Sequence, residues 1–132
     1  MGSESWHEPY EKLSEKTLNM SRAIKSLMEE LEAIDWYQQR VDVCTDEALK
    51  RILAHNRDEE MEHASMVLEW IRRNSPTFEK HLRTYLFREG EITEIEAVET
   101  NHLESGRPRE QSQTPVFKTI GSLKQRKEGE RL

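Results

Sequence analysis

Cysteine occurs once, at Cys44, so no disulfide can form within the chain and a secreted scaffold stapled by internal bridges is excluded. Long apolar runs are missing too. Only 34% of the residues are hydrophobic against 35% charged, and no stretch approaches the length of a signal core or a membrane span. A cytoplasmic protein without a membrane partner is expected. Basic residues are the minority, 20 Lys and Arg against 26 Asp and Glu for a net charge of -6, which argues against a nucleic-acid partner and for metal cations. At 132 residues with 7% aromatics, the chain has material for one small domain and little core of its own.

Glycine and proline are confined to the ends. None lies between Pro9 and Pro76, which leaves 66 residues, Tyr10 to Ser75, free of helix breakers. Inside that stretch only Asp42-Val43-Cys44-Thr45-Asp46 has the texture of a turn, and Thr45 or Asp46 can cap a new N-terminus ahead of Glu47. Two long antiparallel helices joined there are expected. Ser75-Pro76 suits an N-cap and a first helical position, so a short third helix should run to Arg88 and stop at Gly90, with Phe78, Leu82 and Tyr85 on its apolar face. From Glu91 on the sequence turns polar, eight of the nine aromatics having gone before, and a flexible tail over 91–132 is expected. Its charge is split, with six acids against two bases over 91–110 and five bases against two acids over 111–132. The basic stretch contains a single apolar island, Val116-Phe117 with Ile120-Gly121-Ser122-Leu123, which reads either as a docking peptide or as chance apolar residues in a linker.

On the first long helix Leu13, Thr17, Met20, Ala23 with Ile24, Leu27, Leu31 and Ile34 recur at alternating spacings of four and three, the pattern of a packing stripe. Glu30 falls about 60° from Leu27 and borders that face, either as a margin residue whose head reaches water or as a buried carboxylate. The stripe of the second helix runs Leu49, Leu53, Asn56, Glu60, His63, Val67 and Trp70 with Ile71, and so turns polar for two turns. An unpaired buried carboxylate costs on the order of several kcal/mol, so these positions demand partners or a cation. Glu60-x-x-His63 sets a carboxylate and an imidazole one turn apart on one face, where both heads can reach one ion. The same pair can instead form a buried polar layer that sets packing register. Glu59 and Glu62 fall at the margin and on the outer face, while His55 and Asn56 suit contacts to a neighbouring copy.

Di-iron carboxylate bundles take one Glu from each of two helices and a Glu-x-x-His from each of the other two. This chain has one of each, Glu30 and Glu60-x-x-His63, on what amounts to half of a four-helix bundle. Two-fold association of two copies completes the helices and the ligands together. Four carboxylates and two imidazoles for two ions suit iron, with zinc, manganese and cobalt as competitors. The fold class is therefore all-α: two long antiparallel helices plus a short C-terminal helix, dimerising into a four-helix bundle.

At these residues the sequence resembles the encapsulated ferritins, ferritin-like proteins carried as cargo inside encapsulin shells. The resemblance covers most of residues 8–90 and is carried by Met28-Glu-Glu-Leu-Glu-Ala-Ile-Asp-Trp-Tyr37, by Ile52-Leu-Ala-His-Asn-Arg-Asp-Glu-Glu-Met-Glu-His63 and by Leu68-Glu-Trp-Ile-Arg-Arg73. It implies a ferritin-like helical hairpin domain over 1–90 whose Glu30, Glu60 and His63 ligate iron, two ions per subunit dimer, for the oxidation of Fe2+ by oxygen. It also implies that Trp36 and Tyr37 lie close to the metal, with Tyr37 a candidate to tune the site or donate electrons, and that Glu29 and Glu32 form an accessory metal-entry site. Members assemble as annular decamers without a storage cavity, so iron is passed on and mineralised in the lumen of an encapsulin nanocompartment within the cytoplasm. Thr119-Ile-Gly-Ser-Leu-Lys124 looks like the targeting signal for the encapsulin shell protein. Two other readings stay open: a non-enzymatic helical interaction protein stabilised by a metal or a polar layer, and a di-iron oxidase acting on another substrate.

Overall fold

A computed structural model of the chain describes residues 6–106. The described residues are helical throughout, with α1 over Glu15–Val43, α2 over Glu47–Asn74, α3 over Pro76–Tyr85 and α4 over Ile92–Ser105. A 3-10 turn at Tyr10–Lys12 precedes α1, and the Trp6 ring meets Tyr10 edge to face at 5.3 Å. The chain divides into two compact units, Met1–His81 and Leu82–Leu132. The all-α class and the pair of long helices agree with the sequence. The island at 116–123, with the targeting segment Thr119 to Lys124, lies outside the described residues.

Local chemistry sets the boundaries. The Ser14 hydroxyl accepts the Thr17 N–H at 3.1 Å and opens α1; the Asp46 carboxylate accepts the Leu49 N–H at 2.8 Å and opens α2. Of the two residues able to cap α2, it is Asp46 that does so. Between Val43 and Glu47 only three residues intervene, which forces α1 and α2 into an antiparallel hairpin. Ser75 ends α2, and its Oγ accepts the Phe78 N–H at 3.2 Å with Pro76 in the first helical position of α3. Near the end of α2 the Glu69 carboxylate takes both Arg72 and Arg73, which pull its pKa down to about 2.

Two expectations need correction. The third helix ends at Tyr85 instead of Arg88, because Phe87, and not Gly90, is the first residue to take a left-handed conformation, at φ 58°. Residues 92–105, expected to open the flexible tail, form α4. Its start is capped by Glu91, whose carboxylate accepts the Glu94 N–H at 3.0 Å, and Gly106 ends it at φ 66°. Within the second unit Arg88 reaches Glu99 at 3.7 Å. Ile92, Ile95 and Val98 carry helical spacing, which the polar composition around them masks.

The packing stripes are only half covered. Leu18 and Val41 on α1 and Ala64 and Ile71 on α2 are buried, whereas Leu27, Ile34, Leu53 and Val67 are half-buried. Leu31, Leu49 and Trp70, all on the expected stripes, remain exposed, as do Met28, Ile52, Met61 and Met66. A hairpin covers one flank of each stripe and leaves the other without a partner. Ile71, 1% exposed, is the best-packed apolar side chain. Ile71→Ala is expected to lower unfolding free energy by about 2–4 kcal/mol, while Val43→Ala, at a position 78% exposed, stays within about 0.5 kcal/mol of the parent. Denaturant titrations at one protein concentration measure both.

Candidate metal centre

Glu30 lies midway along α1, between Leu27 and Ile34 on the flank that faces α2, and Glu60 and His63 lie one turn apart on α2. The antiparallel register brings the three heads together. Among the described residues they form the one group of three or more Asp, Glu, His or Cys side chains able to converge on an ion, with one ligand atom from each within 4.8 Å of the others. His63 Nδ1 stands 3.4 Å from Glu60 Oε2 and 3.9 Å from Glu30 Oε2. The carboxylates are the more enclosed members, with Glu30 at 26% and Glu60 at 23% side-chain exposure against 42% for His63.

The electrostatics are those of a site short of positive charge. Its hydrogen bond to Glu60, then burial and the Glu60 charge, hold the Glu30 carboxyl above its ordinary value of 4.5, with His63 opposing. The same hydrogen bond from Glu30, joined by that from His63, holds Glu60 below 4.5 against the cost of burial. As pH falls Glu30 is thus the first of the two carboxyls to take a proton, and Glu60 the later one. A divalent metal can satisfy both carboxylates and the imidazole at once. Hard oxygen donors with one imidazole fit iron, and also zinc, manganese or cobalt.

The remaining residues singled out in the sequence fall around this cluster. Glu29 and Glu32 are exposed on α1 and belong to no such group of three. The Tyr37 ring is half-buried, with the Arg40 guanidinium carbon 5.3 Å from its centroid. Trp36 is exposed, and its indole offers a donor but no lone pair, so any role it has is as a neighbour and not as a ligand. Glu59 pairs with His55 at 3.5 Å on the exposed side of α2, and Glu62 is exposed, as their rotation about the helix dictates. The sequence reading misses a polar link between the helices, in which Arg57 donates to the Gln38 carbonyl at 2.7 Å. The Gln38 and Asp42 pair at i and i+4 is legible in the sequence; the partner across the hairpin is not.

Comparison with known proteins bears on the span of the chain that holds this cluster. The sequence model of the EncFtn-like family matches residues 5–89, a span that holds α1, α2, α3 and the whole cluster. A Rhodospirillum rubrum protein named as an encapsulated ferritin-like protein is 65% identical over 98 residues, which cover 74% of this chain and 70% of that protein. A ferritin-like protein of Thermotoga maritima is 54% identical over 94 residues, covering 71% and 82%. The encapsulin nanocompartment cargo protein EncC of Myxococcus xanthus is 36% identical over 110 residues, covering 80% and 85%. Among solved structures, a Nitrosomonas europaea protein superposes with a TM-score of 0.64 at 60% identity, over 66% of this chain and 96% of its own.

The opposed shifts of Glu30 and Glu60 set a pH dependence for the metal-free protein. With its pKa raised in the fold, Glu30 contributes stability fully below pH 4.5 and loses it as pH rises through its folded pKa; Glu60, lowered, contributes above 4.5 and loses it as pH falls through its own. Glu30→Gln keeps a neutral donor facing Glu60 at every pH. In chelator the variant is therefore expected to melt above the parent at neutral pH, the gap closing toward pH 4.5. Parallel melting curves from acid to neutral pH contradict the raised pKa of Glu30.

Proposed function

The chain belongs to the EncFtn-like family, and on that premise we propose that it is a ferroxidase, oxidising Fe2+ to Fe3+ at a two-ion site built by two copies and delivering the product for mineral storage in an encapsulin compartment. The observation that carries this reading is the meeting of Glu30, Glu60 and His63 within 4.8 Å on a hairpin whose apolar stripe is left half covered. Each copy holds one half of a symmetric ligand set, and its exposed Met28, Leu31, Ile52 and Met61 are material for the contact that joins the halves. An annular decamer of such dimers and the cytoplasmic location inside a shell extend the same reading, in line with relatives named as encapsulated and as nanocompartment cargo.

Fe2+ is the substrate. Glu29 and Glu32, exposed beside Glu30 on α1, draw it by charge to the cluster. Anionic oxygen donors stabilise the ferric more than the ferrous charge, which favours loss of an electron at this position. Two Fe2+ give one electron each to one O2, which takes up two protons and leaves as hydrogen peroxide; four deliver it as water. The chain's own contribution is placement and charge, with a ring nitrogen of His63 as the donor beside the two carboxylates. Tyr37, two turns beyond Glu30 on α1, is the residue to tune the site or supply an electron. The tail segment Thr119 to Lys124 addresses the protein to the shell.

A second reading is favoured by one observation: Glu30, Glu60 and His63 are partners of each other, as a register-setting polar layer requires. Oxygen consumption on Fe2+ addition separates the two. The parent is expected to show saturable uptake with larger oligomers formed on metal addition, and Glu30→Ala and His63→Ala fall to the rate of iron in buffer; a parent at the buffer rate removes the ferroxidase, and a monomer that binds two irons alone removes the shared site. Deleting residues 119–132 is expected to abolish loading into a co-expressed encapsulin and leave iron oxidation intact, as read by shell-associated protein and oxygen uptake. Unchanged loading removes the targeting role.

A further inference from the structure

Arg57 lies on α2 one turn before Glu60, with its side chain 22% exposed. Its guanidinium works in two directions. Nε donates to Asp58 Oδ1 at 3.0 Å, Nη2 lies 2.9 Å from the same oxygen as an ion pair, and Nη1 donates to Gln38 Oε1 on α1 at 2.7 Å. Gln38 is held in turn, because its Nε2 donates to Asp42 Oδ1 at 2.9 Å. Turning that amide over would set donors against the guanidinium and an oxygen against the carboxylate. Asp42, Gln38, Arg57 and Asp58 therefore form one polar chain across the hairpin, with an exposed carboxylate at each end and a single polarity.

Such a chain is needed where it lies. Of the buried apolar residues of α1 and α2, only Ala64 adjoins the cluster in sequence, and a methyl group resists little sliding or rotation. A slip of one residue moves a side chain about 1.5 Å along the axis and about 100° around it, enough to scatter ligand atoms that lie within 4.8 Å of one another. The Cys44–Asp46 turn limits how far the helices can separate but not how each rotates. A charge-assisted hydrogen bond between two heads that each hold a second partner, placed between that turn and the cluster, favours one register. We propose that Arg57, acting through Gln38, is a positioning residue for Glu30, Glu60 and His63, a role that rests on the reading of that cluster as the metal site.

The test uses the full chain and Co2+ as a coloured probe, with affinity and visible absorption bands measured at one protein concentration. Arg57→Met and Gln38→Met keep the stems and remove the polar heads. Each is expected to weaken Co2+ binding by about tenfold and to shift the bands, and the double variant to lose no more than the worse single, since all three break one link. Arg72→Met supplies the structural comparison: its head pairs with Glu69 and Glu79 within the same unit, so it lowers the metal-free melting temperature and leaves the Co2+ bands in place. Parent-like bands and affinity in both Arg57→Met and Gln38→Met overturn the positioning role. Should Gln38→Met alone fold well, its bands decide. Co2+ bands that also survive Glu30→Ala locate the ion elsewhere and overturn the reading of the cluster together with this proposal, whereas bands lost in Glu30→Ala but kept in Arg57→Met overturn the positioning role only.

Discussion

Two carboxylates and an imidazole set against each other on a helix seam need a positive charge, and the rest of the molecule answers to that need. In the hairpin alone the deficit shows as opposed shifts of Glu30 and Glu60, with His63 drawn in to 3.4 Å from Glu60. A hydrogen bond joins two of the heads; a metal ion can join all three. The residues that would otherwise be a flaw in an apolar stripe become the feature that makes the stripe worth completing.

The same deficit explains why the hairpin is so sparsely packed. Polar heads occupy the middle of the seam, so the buried apolar residues of α1 and α2 are few, and Met28, Leu31, Ile52 and Met61 stay exposed. Two helices cannot enclose a site that lies on their common face. Closure by a second copy would bury apolar stripe and ligands in one event, which couples assembly to metal binding by mass action. Capping chemistry at Ser14, Asp46 and Ser75 then needs to secure only the lengths of the helices, while the Arg57 link holds their relative rotation.

Membership of the EncFtn-like family and likeness to ferritin-like and encapsulin-cargo proteins bear on the same span of the chain as this chemistry. The family match ends at residue 89. Beyond it α4 is an acidic helix built from local signals, a Glu91 cap at one end and Gly106 at the other, within a region whose composition alone suggests a tail. Composition averages over residues, whereas a helix needs only a cap, a stop and a few apolar positions at the right spacing.

Much of the fold is legible in the sequence because it is local. The freedom of residues 10–75 from glycine and proline, the turn at Asp42 to Asp46 and the Ser75-Pro76 start are settled between residues a few positions apart, and so is the i, i+3 spacing of Glu60 and His63. The stop at Phe87 escapes such reading, since a left-handed phenylalanine has no signature to set beside that of glycine. Which residues meet across the hairpin is likewise a tertiary matter. That Glu30 reaches Glu60 and His63, that Arg57 finds Gln38, and that Ala64 and Ile71 are covered while Trp70 is not, all depend on the rotation and offset of one helix against another. Spacing along a helix fixes which side chains share a face, but the register between two faces is chosen by the sum of every contact made across them, and only the folded chain performs that sum.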